Sequence, residues 1–388
     1  MLVLGIFLVA LNLRASLTAI GPVVKEIRVD TGLSNTLTGL LTTLPLITFG
    51  LVSPFAARFG RRFGLEQTLL AGLLILAVGI VVRPLPSEIL LFGGTILIGT
   101  GISIINVLLP GFVKREFPLH VGIMTGMFIV CMGFGAALGA GLSNPLAQGA
   151  GLGWRGMLAG WSVITFVAII FWLPRLRFHH RPEAGLTPDM PSGKLRHSKL
   201  AWQVTLYMGV QSLIFYIIVA WLPEMLYQWG LDITTAGWML SLFQLVGLPA
   251  SLIMPILAGR SANQRGLVAI SAGSMLLGYT GMLLFTTTLL PLWIFLTGFG
   301  SGASISLALS FFGLRSHNPQ QTAELSGMAQ SVGYLLAASG PTFIGFIHDV
   351  THGWTVPLII LLFFTGIMLV LGLMAGKEGY VTPAADQS

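Results

Sequence analysis

The sequence predicts an all-α membrane protein of twelve transmembrane helices arranged as two six-helix, pseudo-symmetric bundles. Three observations predict it. The 388 residues are 54% hydrophobic and only 9% charged, against roughly 25% charged in soluble domains. Stretches of about 20 apolar residues, each long enough to cross a bilayer, recur twelve times. The second half of the chain also repeats the glycine and proline pattern of the first. Together these exclude a soluble enzyme.

Spans are expected at about 2–23, 35–57, 67–83, 88–112, 121–143, 155–174, 200–222, 235–258, 266–286, 290–313, 324–347 and 354–375. Their limits are charges or Gly/Pro turns. No charge separates the ninth from the tenth, so that boundary rests on Thr286-Thr287-Thr288 and Pro291. Met1 runs into apolar sequence without a basic leader and Arg14 interrupts the run, which does not read as a cleaved signal peptide. The domain organisation is a first bundle at 1–174, a basic linker at 175–199, a second bundle at 200–376 and a tail at 377–388. Six bases against Glu183 and Asp189, interspersed with Pro and Gly, make the segment a solvated connection.

Placing that linker in the cytoplasm fixes the topology. Arg58, Arg61, Arg62, Lys114, Arg115, the six linker bases, Arg260, Arg265, Arg315 and Lys377 then lie inside, and Lys25, Arg28, Arg83 and Arg155 outside. This bias follows the positive-inside rule, with both termini cytoplasmic. The net charge of +7 therefore needs no nucleic-acid partner.

A shift of 201 residues aligns the halves. It pairs Pro22 with Pro223, Pro54 with Pro255, Gly72 with Gly273, Gly99 with Gly300, Gly101 with Gly302 and Gly139 with Gly340. An even number of spans per half makes the repeats parallel, related by an axis along the membrane normal.

Arg14, near the middle of the first span, is the leading candidate for solute recognition. An arginine there costs about 2.5–3.5 kcal/mol on insertion scales, and no Asp or Glu lies in the interior of any span. A guanidinium facing a cavity suits an anion or a nitro group. Its structural alternative is a tether to carbonyls and helix ends. Asn106 follows Ser103 and precedes Pro110 at i, i+3 and i+7. Tyr207 and Gln211 repeat at i+4 in the seventh span, with Phe215 next. Gln330 and Tyr334 do so in the eleventh, and Gln244 falls opposite Thr43 under the shift. Each alone is also what interhelical packing uses. Together they predict a midplane cavity with a polar, cationic amino-terminal wall and an aromatic carboxy-terminal one.

Other chemistries are excluded or weak. No glycine loop closed by Lys-Ser/Thr is present, so no ATP is expected. No HExxH pair occurs and Cys131 is the single cysteine, so neither metal nor other cofactor is expected. An intramembrane enzyme would need a nucleophile with a base, and none pairs up. Glu324, at the mouth of the eleventh span, is the remaining acid for coupling. Otherwise a uniporter, an exchanger or a symporter of a protonated substrate is expected.

Ser53-Pro54-Phe55-Ala56-Ala57-Arg58-Phe59-Gly60-Arg61-Arg62 resembles the Gly-x-Leu-Ala-Asp-Arg-x-Gly-Arg-Arg loop of the major facilitator superfamily. Gly60, Arg61 and Arg62 match, whereas Ser53 stands for its glycine and Ala57 for its aspartate. Leu13-Arg14-Ala15-Ser16-Leu17-Thr18-Ala19-Ile20-Gly21-Pro22 and Leu325-Ser326-Gly327-Met328-Ala329-Gln330-Ser331-Val332-Gly333-Tyr334 are similar to signatures of its cyanate permease and 2-nitroimidazole exporter (CynX/NimT-type) family. The resemblance implies the major facilitator fold, a gating role for Arg58, Gly60, Arg61 and Arg62, and a small-solute permease of the bacterial inner membrane. Its partners would be the lipid bilayer and one small-molecule substrate, with the chain acting as a monomer. The alternatives are a multidrug-type exporter of neutral aromatic compounds and a non-transporting receptor or scaffold.

Overall fold

The computed structural model describes residues 2–33, 35–177 and 194–381. Most of the expected linker, and the tail beyond Val381, lie outside the described residues. Among those described, every regular element is helical. The helices are α1 (Leu2–Thr18), α2 (Val24–Thr31), α3 (Asn35–Phe63), α4 (Leu65–Val82), α5 (Glu88–Glu116), α6 (Val121–Asn144), α7 (Gly153–Gly160) and α8 (Ser162–Trp172). After the linker come α9 (Lys199–Gln228), α10 (Ile233–Gly259), α11 (Arg265–Phe285), α12 (Leu290–Leu314), α13 (Pro319–Thr351) and α14 (Thr355–Ala375).

Ten stretches among the described residues are long and apolar enough to cross a membrane. The longer helices α3 and α13, at 29 and 33 residues, occupy the positions expected for the second and eleventh spans and are more polar. The split between the ninth and tenth spans falls at Thr286–Leu289, where Thr286 and Leu289 have positive φ. The sequence gives no sign of α2, a short polar helix after the first span. It is tied down within its own unit: Gln148 donates to Glu26 at 2.6 Å, and Trp154 and Arg155 both donate to Asp30.

The expected loop at Ser53–Arg62 is not a loop. α3 continues helically to Phe63, and Gly64, at φ 87°, alone turns the chain into α4. Arg61 and Arg62 therefore sit in the last turn of α3, where cations oppose the negative end of the helix dipole.

The chain divides into two compact units, Met1–Phe112 with Met127–Asp189, and Val113–Gly126 with Met190–Ser388. The α4–α5 pair of the first and the α11–α12 pair of the second are built alike, but with a register that differs from the 201-residue shift. In the first unit, a methyl group on Gly79 would lie 2.7 Å from Ile98 N and 2.9 Å from Gly94 O. In the second, one on Gly278 would lie 3.1 Å from Thr297 N and 2.8 Å from Trp293 O. Every partner differs by 199. Gly101 against Gly72 and Gly300 against Ser271 repeat that offset. Close backbone approach fixes equivalence more tightly than matching glycines do. The packing counterpart of Asn106 is thus Ile305, and not the Leu307 that a 201-residue shift selects.

Candidate functional site

α1 is positioned within the first unit by polar and close-packed contacts. Asn12 is buried, donates to Leu8 O at 2.7 Å and accepts from Thr165 of α8 at 2.6 Å. Gly135 and Gly139 of α6 let its backbone approach Leu11 and Ala15 of α1, and Thr18 donates to Ala136 O at 2.9 Å. Between these anchors Arg14 is half-buried, as is Thr43 of α3.

α5 supplies the other polar group. Ser103 is consumed in packing, with its hydroxyl 3.0 Å from that of Ser53 on α3. Asn106, one turn on, is the one residue between 101 and 113 that is not buried. Asn106 thus places a primary amide, both donor and acceptor, at the one half-buried position of this stretch. Its counterpart Ile305 is likewise half-buried in α12, so the second unit presents an apolar side chain at the equivalent place.

The candidates of the second unit fall into two groups. Phe215 is half-buried and stacks edge-on to Tyr216, with its centroid 6.2 Å from Phe243 of α10. The three rings pack together with Phe243 buried, and Gln244 next to it in sequence is exposed. Tyr207 belongs to the unit's interior: its ring is fully buried, 5.7 Å from Phe311, and abuts Gly372. Gln211 and Gln330 are both 1% exposed and Tyr334 is buried. Gln330 donates to Ser326 at 2.8 Å. Gln211 accepts from Ser212 at 3.2 Å while its Nε2 has no hydrogen-bond partner. Glu324 is half-buried early in α13.

At the end of α3, Arg58 and Arg62 are exposed, Arg61 is half-buried, and Gly60 leaves room for the Leu108 side chain. Sequence reasoning missed Arg83. Assigned to an outer loop, it is instead fully buried and donates Nη1 to Ser16 O of α1 at 3.0 Å. The preceding Val82 ends α4, and a charge at a span boundary reads the same whether it points to water or inward. Among the described residues no cluster of three or more His, Cys, Asp or Glu could hold a metal.

A sequence model of the Major Facilitator Superfamily matches residues 2–338 and 204–386. The chain belongs to the Major Facilitator Superfamily. It is 44% identical over 387 residues to an uncharacterised transporter of Bacillus subtilis (strain 168), covering all of this chain and 96% of that one. It is 43% identical to the 2-nitroimidazole transporter of Escherichia coli (strain K12), over 97% of this chain and 95% of the relative. The cyanate transport protein CynX of the same organism is 27% identical over 91% of both. Among solved structures, a proton:xylose symporter bound to 6-bromo-6-deoxy-D-glucose superposes with a TM-score of 0.78 at 14% identity, over 98% of this chain and 96% of that one. That likeness fixes the fold. This member of the superfamily is therefore a membrane-embedded secondary transporter.

Proposed function

We propose that the protein moves a small polar or anionic solute, of nitroimidazole or cyanate type, across the bacterial inner membrane by alternating access, with both termini cytoplasmic. In this reading two six-helix halves, at 1–174 and 200–376, are joined by the basic linker. Arg14, Thr43 and Asn106 meet the solute from the first half, and Gln211, Phe215, Gln244, Gln330 and Tyr334 from the second. Tyr207 packs behind them. Arg58, Gly60, Arg61 and Arg62 take part in gating, Glu324 carries any proton coupling, and the transporter works as a monomer without ATP.

The observation that carries this reading is the 43% identity to a 2-nitroimidazole transporter along nearly the whole chain. It is supported by a half-buried Arg14 and a half-buried Asn106 in otherwise packed helices. A guanidinium and a primary amide supply the donors that nitro and cyanate groups accept. The test is uptake of 2-nitroimidazole, cyanate and nitrate into proteoliposomes, with and without a pH gradient. At least one of the three is expected to be transported, and Arg14→Ala is expected to reduce its flux at least tenfold. Full flux through a folded Arg14→Ala protein would remove Arg14 from the site.

A further inference from the structure

The second unit contains a cavity of about 580 Å³ at the end where α5 stops, α6 starts and α12 turns into α13. Its size is in the range of small-molecule sites, commonly about 300–1,000 Å³. Lys114, His120, Arg260 and His317 line it, with Tyr380 at one side, and none of the described lining residues is acidic. The charge distribution of the chain puts this end on the cytoplasmic side.

Several features favour an anion in the cavity. Leu119–Ile123 line it, and α6 begins at Val121, so the first-turn N–H groups of a 24-residue helix belong to this wall. The negative end of α12 at this cavity is already compensated. Lys114 Nζ donates to Gly313 O of α12 at 2.7 Å and also to Ser316, covering the last carbonyls of that helix. Arg260, His120 and His317 are exposed.

The chain's carboxy-terminal segment passes the cavity and lends it Tyr380. Gln264 N donates to Gly376 O at 2.9 Å, Val381 N to Arg315 O at 2.7 Å, and Gln321 Nε2 to Val381 O at 2.7 Å. Val381 is fully buried, and the Tyr380 ring stacks on His317 with centroids 4.2 Å apart. Arg315 below it donates to Ala375 O at 2.8 Å. Burial lowers the pKa of this guanidinium, and the charges of Tyr380 and Glu378 oppose that shift.

We infer that this cavity binds a phosphate-bearing anion, as a soluble phosphate monoester or an acidic-lipid headgroup, and that the bound anion holds the 376–381 strap in place. Phosphate is the chemistry that Arg and imidazole donors beside a helix N-terminus recognise. The inference does not depend on the identity of the transported solute, and its readout is binding, so it stands or falls apart from the transport reading.

The test uses the purified full-length protein. Glycerol 3-phosphate is titrated in detergent while thermal unfolding is followed, and the same melting curve is measured in nanodiscs of phosphatidylcholine with and without phosphatidylglycerol. Arg260→Gln and His317→Gln are compared with the parent. Both lie at exposed positions, and the expectation is that they melt like the parent without ligand. A soluble ligand is indicated by saturable protection by glycerol 3-phosphate, at least tenfold weaker in Arg260→Gln. A lipid headgroup is indicated if phosphatidylglycerol alone protects the parent and Arg260→Gln loses that protection. Protection that is absent in both arms, or unchanged in both variants, overturns the proposal.

Discussion

The guanidinium of Arg83 donates Nη1 to the carbonyl of Ser16 at 3.0 Å, across 67 residues of sequence and with no exposure to solvent. Ser16 lies in the last turn of α1, where carbonyls lack intrahelical donors and the helix dipole is negative. Arg83 thus closes the end of the helix that carries Arg14. Its Nε and Nη2 have no partner, so most of its desolvation is uncompensated.

That imbalance separates volume from charge. Arg83→Ala leaves a cavity and an uncapped carbonyl, and is expected to destabilise by about 2–4 kcal/mol. Arg83→Met refills the space and removes the buried charge, so it is expected to stay within about 1 kcal/mol of the parent. Thermal unfolding of the two purified variants in detergent checks the order. A Met variant as damaged as the Ala variant would mean that the guanidinium itself holds the unit together.

The internal repeat makes a second prediction. Gly79→Ala and Gly278→Ala each drive a methyl into the backbone of the facing helix, at 2.7 Å and 2.8 Å respectively, and are expected to cost roughly 1–3 kcal/mol. Gly273→Ala meets nothing within 4 Å and is expected to be neutral or slightly stabilising, because alanine is the better helix former. Melting temperatures of the three variants decide whether the 199-residue packing register or the 201-residue sequence shift identifies the equivalent glycines.

This difference shows how far the sequence could be read. Hydropathy located the spans because a helix in a bilayer satisfies its own backbone groups and must be apolar throughout. Glycine matching exposed the duplication, yet between α4–α5 and α11–α12 it missed the packing register by two residues. A glycine's identity does not say which neighbour its missing side chain admits. For the site, Arg14 and Asn106 were legible as polar groups at apolar depth. The division of Tyr207 from Phe215 was not: i+4 spacing places them on related faces, and only the Phe311 and Gly372 contacts show which face is interior.

Asn106 and its counterpart Ile305 allow a test of asymmetry. Asn106→Leu replaces a half-buried amide with a side chain of similar volume. It is expected to leave the melting temperature within about 2 °C while lowering transport efficiency at least tenfold, since a solute that bonds the amide loses about 1.5–3 kcal/mol of interaction with a charged or strongly polar partner. Ile305→Val should change neither. Flux and melting measured on the same preparations check it. A loss of stability in Asn106→Leu would return Asn106 to helix packing.

Gln211 carries the sharpest trade-off between stability and activity. Its amide nitrogen is buried without an acceptor, which costs about 1–3 kcal/mol, while its oxygen accepts from the neighbouring Ser212 hydroxyl. A leucine at this position removes the unsatisfied donor at similar volume, so Gln211→Leu is expected to raise the unfolding temperature. In an alternating-access cycle the same donor gains an acceptor when a solute oxygen or nitrogen reaches it, and that gain favours the loaded conformation. Gln211→Leu is therefore expected to be more stable and, at saturating solute, at least fivefold slower. Gln211→Glu would be less stable, because it buries a carboxylate or its proton in the same unpartnered place. If Gln211→Leu transports like the parent while melting higher, the amide is a structural cost with no part in recognition.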